Sequence, residues 1–413
     1  MALEFFRLKT REEVLALYPR FAPVGAEEVD LAEAGGRVTA RDLTAPEDVP
    51  SFPRASMDGY AVRAADTFGA TPGLPQYLAI RGAVPMGQIP QGMVGPGEAW
   101  SISTGGMLPT GAEAVVMVEY TAKLPDGTLE VRRPVAPGEN VLQPGEDVRA
   151  QDLLLPAGRR LRPQDLGLLA ALGVSRVPVF KKPRVAVLSS GDEIVPVTQK
   201  PPPGRVRDAN AFLVAAQVQE SGGLPLRKGI IPDDRQALEA ALSLALKEAD
   251  AVLISGGSSV GARDLTLTAI QNLPGAEILV HGVAIRPGKP TILADIRGKP
   301  LLGLPGHPAS AAIVMQILAR PLLKRLAGMD EPSSLLGGTV RARLSRNLAG
   351  ATGREDFVRV RLQPKGDTFL AEPVLGPSGL LSPLVKSDGL VVIPLGVEGL
   401  FKDDPVIVHL FSG

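Results

Sequence analysis

The sequence predicts a multidomain α/β plus β protein: a central, mainly parallel α/β sheet domain, a β-rich unit inserted near the N-terminus and a small β domain at the C-terminus. Three observations carry this. The chain has 413 residues, too many for one ordinary core and enough for roughly two to four compact units. Between residues 184 and 327, apolar β-rich runs alternate with helical patterns, the rhythm of a helix-covered parallel sheet. On both sides of that stretch, short alternating runs broken by Gly and Pro read as all-β structure.

Taken in order, residues 11–20 read as an amphipathic helix with Val14, Leu15, Leu17 and Tyr18 on one side. Short strands at 80–84, 99–103 and 114–118 mark a β-rich unit over 46–135. The segment 136–182 returns to a mixed texture, with a helix at 163–172 that opens on Pro163 and stops at Gly173. Pairing of that segment with 1–45 would make the β unit an insertion in a discontinuous first domain. Over 183–328, strands are expected at 184–189, 224–231, 251–255, 278–285 and 301–304, and helices at 210–220, 235–248, 265–273 and 309–326. Strands at 338–344, 357–362, 369–374, 390–393 and 405–410 then fill a C-terminal β domain over 329–413.

Composition narrows the function. Lys+Arg and Asp+Glu both number 44, so no global charge excess recruits nucleic acid or an anionic membrane surface. The chain contains no cysteine, which removes disulfides, thiolate metal sites and thiol catalysis. No apolar run approaches the roughly 20 residues that span a bilayer, and the first residues show no signal peptide. These features lead us to expect a soluble, cytoplasmic protein.

In a parallel sheet of this kind, ligands bind beyond the carboxyl ends of the strands. The loops there are Ser190-Gly191-Asp192-Glu193, Pro232-Asp233-Asp234, Gly256 through Asp264, and Pro305-Gly306-His307-Pro308-Ala309-Ser310. Gly256, Gly257, Ser259 and Gly261 form a glycine-rich turn whose amides suit phosphate, although the same pattern serves any tight strand-to-helix turn. Asp233 and Asp264 read individually as helix caps. With Glu193 they follow consecutive strands, so one crevice can collect three carboxylates. Oxygen-only ligands with scarce His select a hard cation, and Mg²⁺ bridging substrate phosphates fits best. Arg286-Pro287-Gly288-Lys289-Pro290 sets two cationic heads on a rigid turn, suited to an oxyanion. Pro305, Gly306 and Ser310 lead into a helix whose first turn offers amides, an anion site by geometry or simply a proline-directed helix start. Met57-Asp58-Gly59-Tyr60 and Ser103-Thr104-Gly105-Gly106 are ambiguous as bare turns.

Together these stretches resemble the motifs of the molybdopterin molybdenumtransferase family, which includes the C-terminal domain of gephyrin. Ser56 through Arg63 looks like one signature, Ser103 through Gly106 with Pro109 through Ala112 another, and Gly145-Glu146-Asp147-Val148-Arg149 a third. Ser190 through Glu193, Gly256 through Asp264, Pro287 through Pro290 and Leu304-Pro305-Gly306 follow in order, covering essentially the whole chain. The resemblance implies an elongated homodimer, with 1–45 and 136–182 as the dimerising domain, and a central domain similar to molybdopterin adenylyltransferases. It implies transfer of molybdate onto adenylylated molybdopterin with Mg²⁺-dependent release of AMP, and contact with the adenylyltransferase and molybdoenzyme partners of that chemistry.

Carried over by position, Glu193, Asp233 and Asp264 would hold Mg²⁺, with Asp58 of the other subunit beside them. Arg286, Lys289, Ser310, Arg354 and Ser378 would form the molybdate pocket, and Thr104 and Asp147 would contribute across the dimer cleft. Arg286 stands where the family commonly has Lys, His307 where it usually shows Asn, and Ser258 where Val or Thr is usual. The stretches Gly353 through Phe357 and Gly376 through Gly379 match more loosely. Two other readings stay open at this point: an adenylyltransferase-like enzyme acting one step earlier, and a non-catalytic molybdopterin-binding scaffold. Tungstate is nearly the same size and charge as molybdate, and nothing in the sequence separates them.

Overall fold

The computed structural model describes residues 8–256, 260–329 and 338–411, and describes the backbone but not the side chains of 260–264. In the central domain the elements run β1 (Arg184–Ser190), α1 (Asn210–Glu220), β2 (Leu224–Ile231), α2 (Arg235–Glu248), β3 (Ala251–Gly256), α3 (Val260–Gln271), β4 (Ala276–His281), β5 (Ile292–Ile296) and β6 (Lys299–Pro305). They form one six-stranded sheet in the order β2-β1-β3-β6-β5-β4. The strands β2, β1, β3 and β6 are parallel. The continuous buried runs Val185 to Leu188 and Val252 to Ile254 reflect a sheet covered on both faces. On one face, α2 buries Leu238, Leu242 and Ala245, spaced to lie along one stripe of the helix. The other face is covered by α1 and by α4 (Pro308–Val314), which continues through a π turn at Met315–Ala319 into α5 (Arg320–Leu326).

Several elements differ from the sequence reading. The apolar run expected as one strand over 278–285 ends at His281, and an unforeseen strand, β5, lies antiparallel to both β4 and β6. The N-terminal helix covers only Arg11–Leu15, because Pro19 lacks an N–H donor and the chain turns instead through a short 3₁₀ segment, Tyr18–Arg20. Helix α3 begins at Val260 rather than near 265. Asp264 therefore lies within the helix and is not its cap.

Near the N-terminus, Ala26–Asp30 pairs antiparallel with Arg176–Phe180, and Leu43–Thr44 with Leu153–Leu155. Between these segments sits a separate six-stranded sheet in which Gly59–Val62 pairs with both Glu98–Ile102 and Ala114–Met117. At the C-terminus, β7 (Thr339–Leu344), β8 (Glu355–Lys365), β9 (Thr368–Pro373), β10 (Gly389–Ile393) and β11 (Pro405–Leu410) pair around a ring. Closure leaves this small barrel without a free edge and encloses Leu344, Val360, Val391 and Val408. One link positions the site: the two-residue strand Ile285–Arg286 leaves the central domain and pairs in parallel with Glu355–Asp356 of β8. No helix among the described residues is long and apolar enough to cross a membrane.

Candidate active site

The short pairing of Ile285–Arg286 with β8 brings three distant segments to one cavity of about 230 Å³. Its walls include Arg286, Lys289, Pro305, Gly306, Ser310, Arg354 and Ser378. The turn that carries Arg286 and Lys289 depends on Gly288, whose φ is +121°. A Cβ there would lie 2.6 Å from Val314 Cγ2 and 2.8 Å from Ile285 Cδ1, so a side chain is excluded by backbone conformation and by space. Beneath the turn, Asp356 is 1% exposed and accepts from Arg286 Nη2 and from the Ala351 N–H, the latter at 3.0 Å. Its other oxygen is 3.7 Å from Arg354 Nε, too long and unaligned for a hydrogen bond, and both of those atoms lack a hydrogen-bond partner. One buried carboxylate thus faces two guanidinium groups: it fixes Arg286 and leaves the N–H groups of Arg354 uncommitted. Arg359 lies nearby, 8% exposed, donating from Nη2 to the Gly376 carbonyl at 2.8 Å, and burial pulls its pKa down.

The Pro305-Gly306-His307 turn separates this cavity from a second of about 400 Å³, which Gly306 and His307 also line. Glu193, Asp208, Asn210 and Gly256 complete much of its wall. Gly256 ends β3 where β1 and β6 press on either side, pairing with Ser190 and Pro305. A Cβ at Gly256 would lie 2.1 Å from Ser190 Oγ and 2.4 Å from its carbonyl oxygen, so only glycine allows this approach. Asp233 follows β2. Burial first, then the charges of Glu193 and Asp192, push its carboxyl above the usual range. The Asp233 N–H donates to Asp192 Oδ1 at 3.2 Å. The cap of α2 is Asp234, which accepts from the Ala237 N–H at 2.8 Å. Asp233 is therefore free of the capping role and feels the charges of Glu193 and Asp192, but among the described residues no three acidic or histidine side chains gather closely enough to hold a metal ion.

Three family models match in tandem. A MoeA N-terminal region (domains I and II) covers residues 9–173, a probable molybdopterin binding domain 186–325, and a MoeA C-terminal region (domain IV) 341–411. Among curated relatives, a putative molybdopterin biosynthesis protein of Methanocaldococcus jannaschii is 36% identical over 94% of this chain and 92% of its own length. The molybdopterin molybdenumtransferase of Bacillus subtilis is 33% identical over 90% of this chain and 87% of its own. The chain belongs to the molybdopterin molybdenumtransferase family. A crystal structure of a molybdopterin biosynthesis MoeA protein from Pyrococcus horikoshii superposes with a TM-score of 0.83 at 39% identity, covering 98% of this chain and all of that one.

The molybdopterin molybdenumtransferase motifs fall in two places on the single chain. The expected residues of the central and C-terminal domains line the paired cavities wherever their side chains are described, except Asp233, which lines neither. Asp58, Thr104 and Asp147 do not: they lie on or beside the inserted β unit, and none lines either cavity. Asp58 and Thr104 form a unit of their own. Asp58 Oδ1 accepts from the Thr104 N–H at 2.7 Å and from Thr104 Oγ1 at 3.0 Å, and these bonds, the backbone one foremost, hold its carboxyl below the usual range. Asp147 is exposed, with its N–H donating to the Val49 carbonyl at 3.0 Å. Gly257 and Ser259 lie outside the described residues, and for Gly261 and Asp264 only the backbone, within α3, is described.

Sequence reasoning gave no role to Asp192, Asp208, Asn210, Asp356 or Arg359, although Asp192 and Asp356 stand inside stretches it named. A signal existed for two of them: Asp356 and Arg359 flank Phe357 and Val358 in β8, and a charge beside such an apolar pair needs a partner if it is buried. At His307, Nδ1 lies 2.9 Å from Ser378 Oγ, so the residue that departs from the usual Asn reaches a member of the expected oxyanion set.

Proposed function

We propose that this chain transfers molybdate to the dithiolene of adenylylated molybdopterin, releasing AMP and forming molybdenum cofactor. The observation that carries the reading is the division of one cleft by Gly306 and His307 into a cavity lined by Arg286, Lys289 and Arg354 and a second lined by Glu193, Asp208 and Arg207. A tetrahedral oxyanion suits Arg286, Lys289 and Arg354 with the Ser310 and Ser378 side chains, because cations and hydroxyl donors stabilise it and the one carboxylate present, Asp356, is buried behind the guanidinium groups. Tungstate would satisfy the same donors.

Glu193 and Asp233, joined by Asp264, would hold Mg²⁺; the donor set is oxygen only, and a bound cation would offset the burial and the like charges that raise the Asp233 carboxyl. When bound, the ion supplies Lewis-acid stabilisation of phosphoryl oxygens and of the departing AMP charge. The chain's own groups do the rest. Gly256 leaves room for the phosphates, the Pro305-Gly306 turn sets the spacing between the two cavities, and Arg286, pinned by Asp356, presents a fixed charge to the oxyanion. A cytoplasmic homodimer, in which the Asp58–Thr104 pair and Asp147 of one subunit approach the cleft of the other, would give those residues the role that a single chain leaves open. Contacts with the adenylyltransferase and with molybdoenzymes would then deliver substrate and receive product.

The test is AMP release from adenylylated molybdopterin by the purified protein. Release that requires both Mg²⁺ and molybdate, and that Asp264→Ala abolishes, is expected. Release independent of molybdate, or substrate binding with no release, would overturn the proposal.

A further inference from the structure

We infer that His307 is a positioning residue of the oxyanion cavity: it sets the direction of the Ser378 hydroxyl proton and so couples anion binding to proton uptake. The inference rests on reading that cavity as the molybdate pocket. His307 lies in the turn between β6 and α4 and lines both cavities. Its Nδ1 is 2.9 Å from Ser378 Oγ. Ser378 is held in place independently, its carbonyl accepting from the Ala309 N–H at 3.1 Å.

A serine hydroxyl has one proton to give. With Nδ1 bare, that proton points at the imidazole, and Ser378 shows the cavity only lone pairs, which repel an oxyanion. With Nδ1 protonated, the imidazole donates to Oγ, and the hydroxyl proton is free to turn toward the anion. Two forms of histidine meet this requirement. The neutral Nδ1–H tautomer does so while keeping a lone pair on Nε2. The imidazolium does so while also adding positive charge and an Nε2–H donor, and is therefore the form a dianion favours.

The charged groups that share cavity walls with His307 are Arg286, Lys289 and Arg354 on one side and Glu193, Arg207 and Asp208 on the other. A dianion held beside Arg286, Lys289 and Arg354 attracts the imidazolium more strongly than the neutral ring. Binding and proton uptake are then linked reciprocally. Where the imidazolium is the form selected, affinity rises on acidification and a proton is taken up as the anion binds.

The chain has three histidines, so the imidazole nitrogens of His307 can be assigned in the full-length protein by comparison with His307→Asn. Micromolar molybdate is titrated at several pH values while those nitrogens are followed by NMR and affinity is measured by calorimetry. An anion that favours the imidazolium about tenfold over the neutral ring, a difference of about 1.4 kcal/mol, binds up to about tenfold tighter at acidic than at alkaline pH. The expected result is that slope in the wild type, protonation of His307 Nδ1 on adding molybdate, no slope in His307→Asn, and a reduced slope in Ser378→Ala. An unchanged slope in His307→Asn, or a full slope in Ser378→Ala, would overturn the inference, as would imidazole nitrogens indifferent to bound molybdate. Absence of molybdate binding at every pH would instead overturn the reading of the cavity itself.

Discussion

Arg354→Gln separates the chemistry of the oxyanion cavity from its architecture. The Arg354 side chain is 36% exposed, lies 3.7 Å from Asp356 Oδ1, and its Nε has no hydrogen-bond partner. Its pairing with Asp356 is loose and partly screened, so its loss should cost about 1 kcal/mol or less in stability. Asp356 keeps its tighter partners, Arg286 and the Ala351 N–H. A charge-assisted hydrogen bond to an oxyanion is worth about 1.5–3 kcal/mol. Losing it corresponds to roughly a 10- to 150-fold rise in the molybdate Kd, since each ~1.4 kcal/mol is tenfold. Calorimetric titration with molybdate, beside a urea unfolding curve, measures both quantities. Unchanged affinity would refute the argument, and so would a loss of affinity that merely follows a loss of fold.

Other positions give outcomes of different kinds. Gly288→Ala puts a side chain at φ +121° against Val314 and Ile285; it should cost about 1–3 kcal/mol and weaken molybdate binding with it, both visible in the same two assays. Thr104→Val removes the weaker of the two bonds that hold the Asp58 carboxyl low and leaves the backbone one, so an NMR titration should find that carboxyl moved part of the way back toward its ordinary value. Asp165 is 5% exposed; burial pushes its carboxyl up, but hydrogen bonds from Arg162 and Arg159 outweigh it and hold the group well below the usual range. A depressed folded pKa contributes stability above the unfolded value of about 4 that is lost as pH falls toward the folded one. Acid titration followed by circular dichroism should therefore show wild-type stability falling below that pH, with a flatter response in Asp165→Asn.

Much of the central domain was legible because its signals are local. Helices α1 and α2 carry apolar patterns of helical period bounded by Gly or Asp, and both observed spans coincide with the expected ones. Strand β5 was not legible: Ile292–Ile296 is only five residues long and carries Asp295 within its run. Register with β4 and β6, a contact between segments, is what makes it a strand. The same distinction holds at the site. Arg286, Lys289, Ser310, Arg354 and Ser378 were gathered from their motifs and share one cavity. The groups that orient them were not foreseen, because Asp356 lies 70 residues from Arg286 in sequence and meets it only through the two-residue pairing of Ile285–Arg286 with β8. Asp234 rather than Asp233 caps α2 for a related reason: adjacent aspartates are equivalent on paper, and only the backbone trace decides which oxygen reaches the Ala237 N–H.

The placement of molybdate is the claim on which the rest depends, and anomalous diffraction at the molybdenum edge tests it most directly. Crystals of the protein equilibrated with molybdate should show a single strong peak per chain within hydrogen-bond reach of Arg286, Lys289, Arg354 and Ser378, weakened or absent in Arg354→Gln. A peak confined to the second cavity beside Glu193, or an occupied oxyanion cavity indifferent to Arg354→Gln, would contradict the account.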